Sequence, residues 1–213
     1  VGKRIVDLPA AEFAELRDRH AGVLLDAGTG DGRHVMRLAR QRPDWLVVGL
    51  DASADGMRKA STRAAAKPAR GGLPNALFVR SSVEQLPPGL ADVSEVHVIM
   101  PWGSLLRGMA GGEPGVLSRL AGACVPGAKF LVTLNLHAWR PPVPEVGSTP
   151  EPDPDRAMDE LAKAYAGSGW RIEQAAYLGD EEIEQLATSW TRRLGSSRER
   201  FDVLALTGTI RPE

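Results

Sequence analysis

Apolar and polar positions along the chain follow two alternating rhythms. Short apolar runs bounded by glycine, proline or an acid recur at 23–26, 46–51, 76–80, 96–100, 130–134, 170–177 and 201–210, and each reads as a strand. Between them the apolar residues fall three and four apart. At 33–40, Val35, Met36, Leu38 and Ala39 share one side and Arg33, Arg37 and Arg40 the other, which predicts an amphipathic helix. Helices are also predicted at 54–66, 113–125, 155–166 and 180–187, and Pro9 opens a short one carrying Phe13 and Leu16. Residues 3–7 read as a short strand ahead of it. Seven strands alternating with helices predict an α/β domain over 1–213, wound on both faces of its sheet, with the last strand antiparallel to its neighbours. Residues 1–21 form an N-terminal extension. The six prolines of 136–155 predict a stiff surface loop or lid with no regular element, and 188–200 is a second inserted loop. Trp45 and Trp170 read as packing residues.

The first strand ends abruptly, at Val23-Leu24-Leu25-Asp26-Ala27-Gly28-Thr29-Gly30-Asp31-Gly32. Strand, glycine loop and helix make the nucleotide-binding end of a doubly wound sheet. The second strand, 46–51, ends in Asp51, about 20 residues after the loop, where a carboxylate can accept hydrogen bonds from ribose hydroxyls. A dinucleotide site needs G-x-G-x-x-G. Here the spacing is G-x-G-x-G, with Asp26 before it and Asp31 inside it. Carboxylates there would repel a pyrophosphate, but they suit the ammonium end of S-adenosylmethionine. The plain alternative is a glycine-rich turn with no ligand. Ser81-Ser82-Val83-Glu84, after the third strand, stands where a Rossmann-like methyltransferase holds the adenine of its cofactor.

Hydrophobic residues at 43% and charged ones at 25% are those of an ordinary soluble globule. No apolar run reaches 18 residues, and the first residues lack the apolar core of a signal peptide, so the expected location is the cytoplasm. Cys124, the one cysteine, excludes an internal disulfide; placed in an apolar helix end, it reads as an inert buried thiol. No metal site is expected. The net charge of −1 argues against nucleic acid, but its distribution argues the other way. Arg58, Lys59, Arg63, Lys67 and Arg70 form a run without an acid, and Arg192, Arg193, Arg198 and Arg200 surround a single glutamate. One face can thus be offered to phosphates, although a basic run is also an ordinary solvated helix face.

Two tryptophans resist a packing explanation. Trp102 lies between Pro101 and Gly103, ahead of a helix whose expected N-cap is Ser104, in the loop that faces the transferable group in this fold. Trp190 stands among arginines. His97, flanked by apolar strand residues, reads as a satisfied core or edge histidine.

These segments together, Asp26-Ala27-Gly28-Thr29-Gly30-Asp31-Gly32, Lys67-Pro68-Ala69-Arg70-Gly71-Gly72-Leu73, Pro101-Trp102-Gly103-Ser104-Leu105-Leu106 and Ser189-Trp190-Thr191-Arg192-Arg193-Leu194, resemble the aminoglycoside-resistance methyltransferases of 16S rRNA. The resemblance is to the branch that methylates N1 of adenine(1408), and within it to the kanamycin–apramycin resistance enzymes of antibiotic-producing actinomycetes. It implies a Rossmann-like seven-stranded S-adenosylmethionine-dependent methyltransferase fold acting as a monomer. The implied partner is the 30S subunit at helix 44. Trp102 and Trp190 would hold the flipped adenine, with the Pro101 carbonyl at its exocyclic amine. The cofactor, and its product S-adenosylhomocysteine, would contact Asp26, Gly28, Thr29, Gly30, Asp51, Ala52, Ser82, Val83, Met100, Trp102, Gly103, Ser104 and Thr188. RNA would be gripped by Lys67, Arg70, Arg192, Arg193, Arg198 and Arg200. Related enzymes often carry two lysines before the proline, where this chain has Ala66 and Lys67.

N1 of adenine has a free lone pair, so such a reaction needs no general base; extraction and alignment of the base suffice. The competing readings are a small-molecule methyltransferase with the proline-rich insertion as its lid, and a non-enzymatic RNA-binding module with a relict pocket.

Overall fold

The structure is a computed structural model in which residues 7, 9–140, 145–186 and 202–211 are described. Seven strands, β1 (Gly22–Ala27), β2 (Trp45–Asp51), β3 (Ala76–Arg80), β4 (Val93–Ile99), β5 (Cys124–Asn135), β6 (Trp170–Tyr177) and β7 (Val203–Ile210), form one sheet. Their order is β3-β2-β1-β4-β5-β7-β6. The first five run parallel, while β7 lies antiparallel between β5 and β6. The chain moves outward from β1 on one side and from β4 on the other. A crevice therefore opens at the carboxyl ends of β1 and β4, the switch point where α/β sheets bind ligands.

Helices α1 (Ala10–Arg17), α2 (Arg33–Gln41), α3 (Ala54–Ala64), α4 (Gly103–Gly111), α5 (Pro114–Gly122), α6 (Pro154–Arg156), α7 (Ala162–Ala166) and α8 (Asp180–Leu186) accompany the strands, with a π turn at Ala157–Leu161 joining α6 to α7. Helices on both faces explain why the inner strands are continuously apolar. Leu24 packs toward Val35 and Leu38 of α2, and its neighbour Leu25 packs into the larger core on the other side. In that core Trp170 meets Phe130 at 4.8 Å between centroids and donates its indole N–H to the Leu117 carbonyl (3.0 Å), so its polar edge is satisfied at full burial. Among the described residues no helix is long and apolar enough to cross a membrane.

Several sequence expectations are corrected. The helix expected at 113–125 is α5, Pro114–Gly122, preceded by a separate α4 that ends where Gly112 turns left-handed (φ 64°). Cys124 opens β5 by pairing with Val93 and is not a helix end; it is buried as expected, and burial pushes its thiol up to about 12. α3 stops at Ala64, because Leu73 returns its N–H to the Ala64 carbonyl and the linker folds back there. The 136–155 insertion is neither irregular throughout nor wholly on the surface. Its first four residues form a 3-10 turn with Leu136 and Ala138 buried, Val146 is buried, and Trp139 donates to the Thr149 carbonyl (3.0 Å). Pro154 opens α6, since a missing N–H costs nothing at the first helical position. The strand expected at 3–7 (apart from Asp7) and the loop at 188–200 lie outside the described residues.

Candidate functional site

After β1 the backbone turns left-handed at Gly28, Gly30 and Gly32 (φ 76°, 57° and 72°). A side chain at Gly32 would put its Cβ 2.5 Å from the Phe78 ring, so this turn is closed to any other residue by sterics as well as by φ. The loop is tied to the end of β2: Gly30 N–H donates to Asp51 Oδ2 (2.8 Å), and Ser53 N–H donates to Oδ1 (2.8 Å). Both Asp51 oxygens keep a lone pair for further donors.

Asp26 carries the strongest signal. It is 1% exposed, and Thr29 Oγ1 donates to its Oδ2 at 2.6 Å, but its Oδ1 has no hydrogen-bond partner among the described residues. A buried carboxylate oxygen without a donor is unfavourable by about 1–3 kcal/mol or more. A cationic N–H group entering the adjoining space would remove that cost. The space is a cavity of about 310 Å³ lined by Asp26, Gly28, Thr29, Gly30, Asp51, Ala52, Ser82, Val83, Met100, Pro101, Trp102 and Ser104. Every described residue expected at the cofactor thus lines one cavity except Gly103. Gly103 instead takes a left-handed φ of 63° at the start of α4. Thr188 lies outside the described residues.

The far wall is a strained turn. Met100 has φ 45°, rare for a side-chain-bearing residue. It is held there by its N–H, which reaches both the carbonyl (3.0 Å) and the hydroxyl (3.0 Å) of Thr133 on β5. Pro101 is buried, and the turn ends by presenting Trp102 as the N-cap of α4, 40% exposed on the cavity rim. Ser104, expected as that N-cap, is instead inside the helix. The backbone N–H of Glu84 above all, then the hydroxyls of Ser82 and Ser104, hold the Glu84 carboxyl below its ordinary range. Trp190 is outside the described residues.

Ser81 and Glu84, expected with Ser82 and Val83 near the adenine, line the cavity too, whereas sequence reading missed His34, Leu50, Ile99 and Leu105, which also line it. For His34 a signal existed: it stands one helical turn before Leu38, on the buried face of α2. Nothing local marks Thr133, whose role depends on β4–β5 register.

Behind the cavity, His97 is buried as expected. It contacts Glu95 (Nε2 to Oε1, 2.8 Å), which also accepts from Arg42 (Nη1 to Oε2, 2.5 Å). Burial alone would raise the Glu95 carboxyl. The hydrogen bonds and charges of His97 and Arg42 outweigh it and bring the group from about 4.5 down to about 2. A depressed carboxyl stabilises the fold above its unfolded value and loses that contribution as pH falls through the folded one. Glu95→Gln is therefore expected to cost about 3 kcal/mol in urea unfolding at pH 7, with the difference from the parent shrinking between pH 4.5 and about 2. A constant difference over that range would refute the assignment.

Lys67 and Arg70 are exposed on the linker ahead of the amino end of β3, whereas Ser82 and Val83 follow its carboxyl end. The exposed residues Arg58, Lys59 and Arg63 of α3 lead from the cavity side to that linker. Arg192, Arg193, Arg198 and Arg200 lie outside the described residues.

With this geometry in place, comparison with known proteins is decisive. The family model described as NpmA: 16S rRNA (adenine(1408)-N(1))-methyltransferase matches residues 1–209. The chain belongs to the 16S rRNA (adenine(1408)-N(1))-methyltransferase family. A curated member from Streptoalloteichus tenebrarius is 58% identical to this methyltransferase over 212 residues, covering 100% of this chain and 98% of the other. The crystal structure of the 16S rRNA methyltransferase KamB superposes on the methyltransferase with a TM-score of 0.95 at 58% identity, over 100% of this chain and 98% of that one. A variant of the corresponding enzyme from Catenulisporales acidiphilia, solved with cosubstrate SAM, gives 0.89 at 37% identity over 100% and 95% of the two chains. The cofactor is S-adenosylmethionine, and the methyltransferase's cavity fits it: Asp26 offers an ammonium a carboxylate oxygen with no partner among the described residues, and Asp51 offers acceptors for hydroxyls.

Proposed function

We infer that this protein methylates N1 of adenine(1408) in the 16S rRNA of the 30S subunit, at helix 44, using S-adenosylmethionine. The outcome is resistance to aminoglycosides such as kanamycin and apramycin. The reading includes a monomer acting in the cytoplasm, where ribosomes are. The observation that carries it is the pairing of two features on one cavity: the unpartnered oxygen of Asp26 inside, and Trp102 standing half-exposed on its rim.

When bound, the cofactor supplies a methyl group made electrophilic by its sulfonium. Asp26, with Thr29 fixing one of its oxygens, holds the amino-acid end. Asp51 takes the ribose hydroxyls, and Ser82, Val83 and Ala52 border the purine. Gly28, Gly30, Met100, Gly103, Ser104 and Thr188 complete the cofactor set, which Trp102 joins through its backbone, leaving its indole to the target base. The target purine brings its own nucleophile, the N1 lone pair, so the residues orient and exclude water and need not remove a proton. Trp102 stacks on the extruded base, Trp190 supplies the opposite wall, and the Pro101 carbonyl accepts from the exocyclic amine, which guanine lacks at that position. Stacking is worth about 1–3 kcal/mol per base, comparable to the few kcal/mol of extracting it.

A macromolecular substrate is supported by charge. The length of β3, roughly 17 Å for five residues, separates the cavity end from Lys67 and Arg70. That is too far for one small substrate but within easy span of a phosphate backbone, to which Arg192, Arg193, Arg198 and Arg200 would add their grip. Incubating the protein with 30S subunits and labelled cofactor, then mapping reverse-transcription arrest, should place one stop at adenine(1408). Methylation under subsaturating conditions should fall about a hundredfold between roughly 50 and 200 mM salt, as several released counterions require. A stop elsewhere would refute the target. Salt-independent turnover of a small substrate would replace the reading with a small-molecule enzyme.

A further inference from the structure

Two histidines that the methylation chemistry does not use lie buried beside the cavity. His34 on α2 and His97 on β4 are 5% and 6% exposed, with ring centroids 5.1 Å apart. They form the middle of a continuous line. The Leu186 carbonyl at the end of α8 is 2.7 Å from His34 Nδ1, His34 Nε2 is 2.8 Å from His97 Nδ1, and His97 Nε2 is 2.8 Å from Glu95 Oε1.

Both ends of this line can only accept. A carbonyl carries no proton, and Glu95, clamped by Arg42 on its other side, is a carboxylate. Three links need three protons, and two neutral imidazoles bring two. With two, one link would set lone pair against lone pair in a buried site, where an unmade polar contact is most costly.

We propose that the His34–His97 pair holds one proton beyond two neutral rings, with His97 an imidazolium bound to Glu95 and His34 a neutral relay, and that the pair thereby positions the carboxyl end of α8 beside the cofactor cavity. Charges of both signs face the pair, and the carboxylates of Asp26, Glu95 and Glu182 favour an added proton while the guanidiniums of Arg37 and Arg42 oppose it. Asp26 on β1 is the register partner of His97 on the adjacent strand, Glu95 shares β4, Arg37 and Arg42 come from α2 and its C-cap, and Glu182 of α8 borders a separate hollow that His34 and Leu186 also line. His97 faces the Glu95 carboxylate while the outer partner of His34 is a neutral carbonyl, so the cation belongs on His97; burial, with His97 and Arg37 adding to it and Asp26 and the Leu186 carbonyl opposing it, also disfavours a charge on His34. Leu186 lies four residues ahead of Trp190 in sequence, which makes its position a matter for base capture. His34 is thus a positioning residue. This part of the proposal rests on the methyltransferase reading.

Nitrogen-15 NMR of the histidine-labelled full chain at neutral pH should show three of the pair's four ring nitrogens protonated. Two would overturn the proton assignment, whatever the activity. Asn at position 34 sets an amide near the Nδ1 position, keeping a donor for Leu186, whereas Gln sets it near Nε2. His34→Gln is therefore expected to lower kcat on 30S subunits about tenfold with cofactor Kd within about twofold, and His34→Asn to recover most of that loss. Equal losses in both variants, or lost cofactor binding in the Gln variant alone, would overturn the positioning role. If neither variant folds, the positioning role is rejected in favour of a purely structural one, and the proton count on the parent chain still decides the charge. A parent chain that binds cofactor but leaves subunits unmethylated would sink the methyltransferase reading without touching the proton count.

Discussion

Trp102→Ala is expected to slow methylation of 30S subunits by roughly tenfold to a hundredfold, the loss of about 1–3 kcal/mol of base stacking, with cofactor affinity within about twofold. The basis is position. Trp102 is an N-cap on the cavity rim with 40% of its surface exposed, not part of the core. Truncation there opens no internal void, so unfolding stability should change by less than about 1 kcal/mol. Trp102→Phe keeps an aromatic face and should restore most of the rate. Single-turnover methylation beside calorimetric titration of the cofactor separates the two effects. A variant that loses cofactor binding in proportion to its rate would show that the indole belongs to the cofactor site, and one that unfolds would show a structural role.

The second large effect is at Asp26. Asp26→Asn should weaken cofactor binding about tenfold to a hundredfold or more, because a hydrogen bond to a charged group contributes about 1.5–3 kcal/mol. Without cofactor, the same substitution should leave the melting temperature unchanged or higher. Asp26 Oδ1 is a buried carboxylate oxygen with no donor among the described residues, so neutralising it removes a cost. Melting curves with and without saturating cofactor test both halves: the parent gains stability by mass action, and the variant gains little at the same concentration. A variant destabilised when empty, yet with unaltered affinity, would mean that the carboxylate serves the fold and not the ligand.

Sequence alone determined much of this protein, because its main features are local. Continuous apolar runs ending in Asp26 and Asp51 announced parallel strands covered on both faces, and the boundaries of β3 and β6 were legible to the residue. The spacing of Gly28, Gly30 and Gly32 announced the left-handed turns, since only glycine occupies them cheaply. Trp102 between proline and glycine was recognisable because a large apolar residue in a turn has no core to enter. Where sequence misled, non-local contacts had overridden local preference. Cys124 sits in a helix-like apolar stretch but is drawn into β5 by pairing with Val93, and the proline-rich stretch begins with a partly buried turn because Leu136, Ala138 and Val146 have core to fill.

Only the tertiary structure decided what brings distant residues into register. The strain at Met100 exists because Thr133, 33 residues away, pins its N–H from the neighbouring strand. The proton line from Leu186 to Glu95 needs α2, α8 and β4 packed together, and that Asp26 Oδ1 has no donor among the described residues is visible only in the folded arrangement. Periodicity and turn chemistry act over a few residues and can be read from the chain. Hydrogen-bond satisfaction, charge pairing and cavity shape depend on packing across the sheet, and so they appear only in the folded molecule.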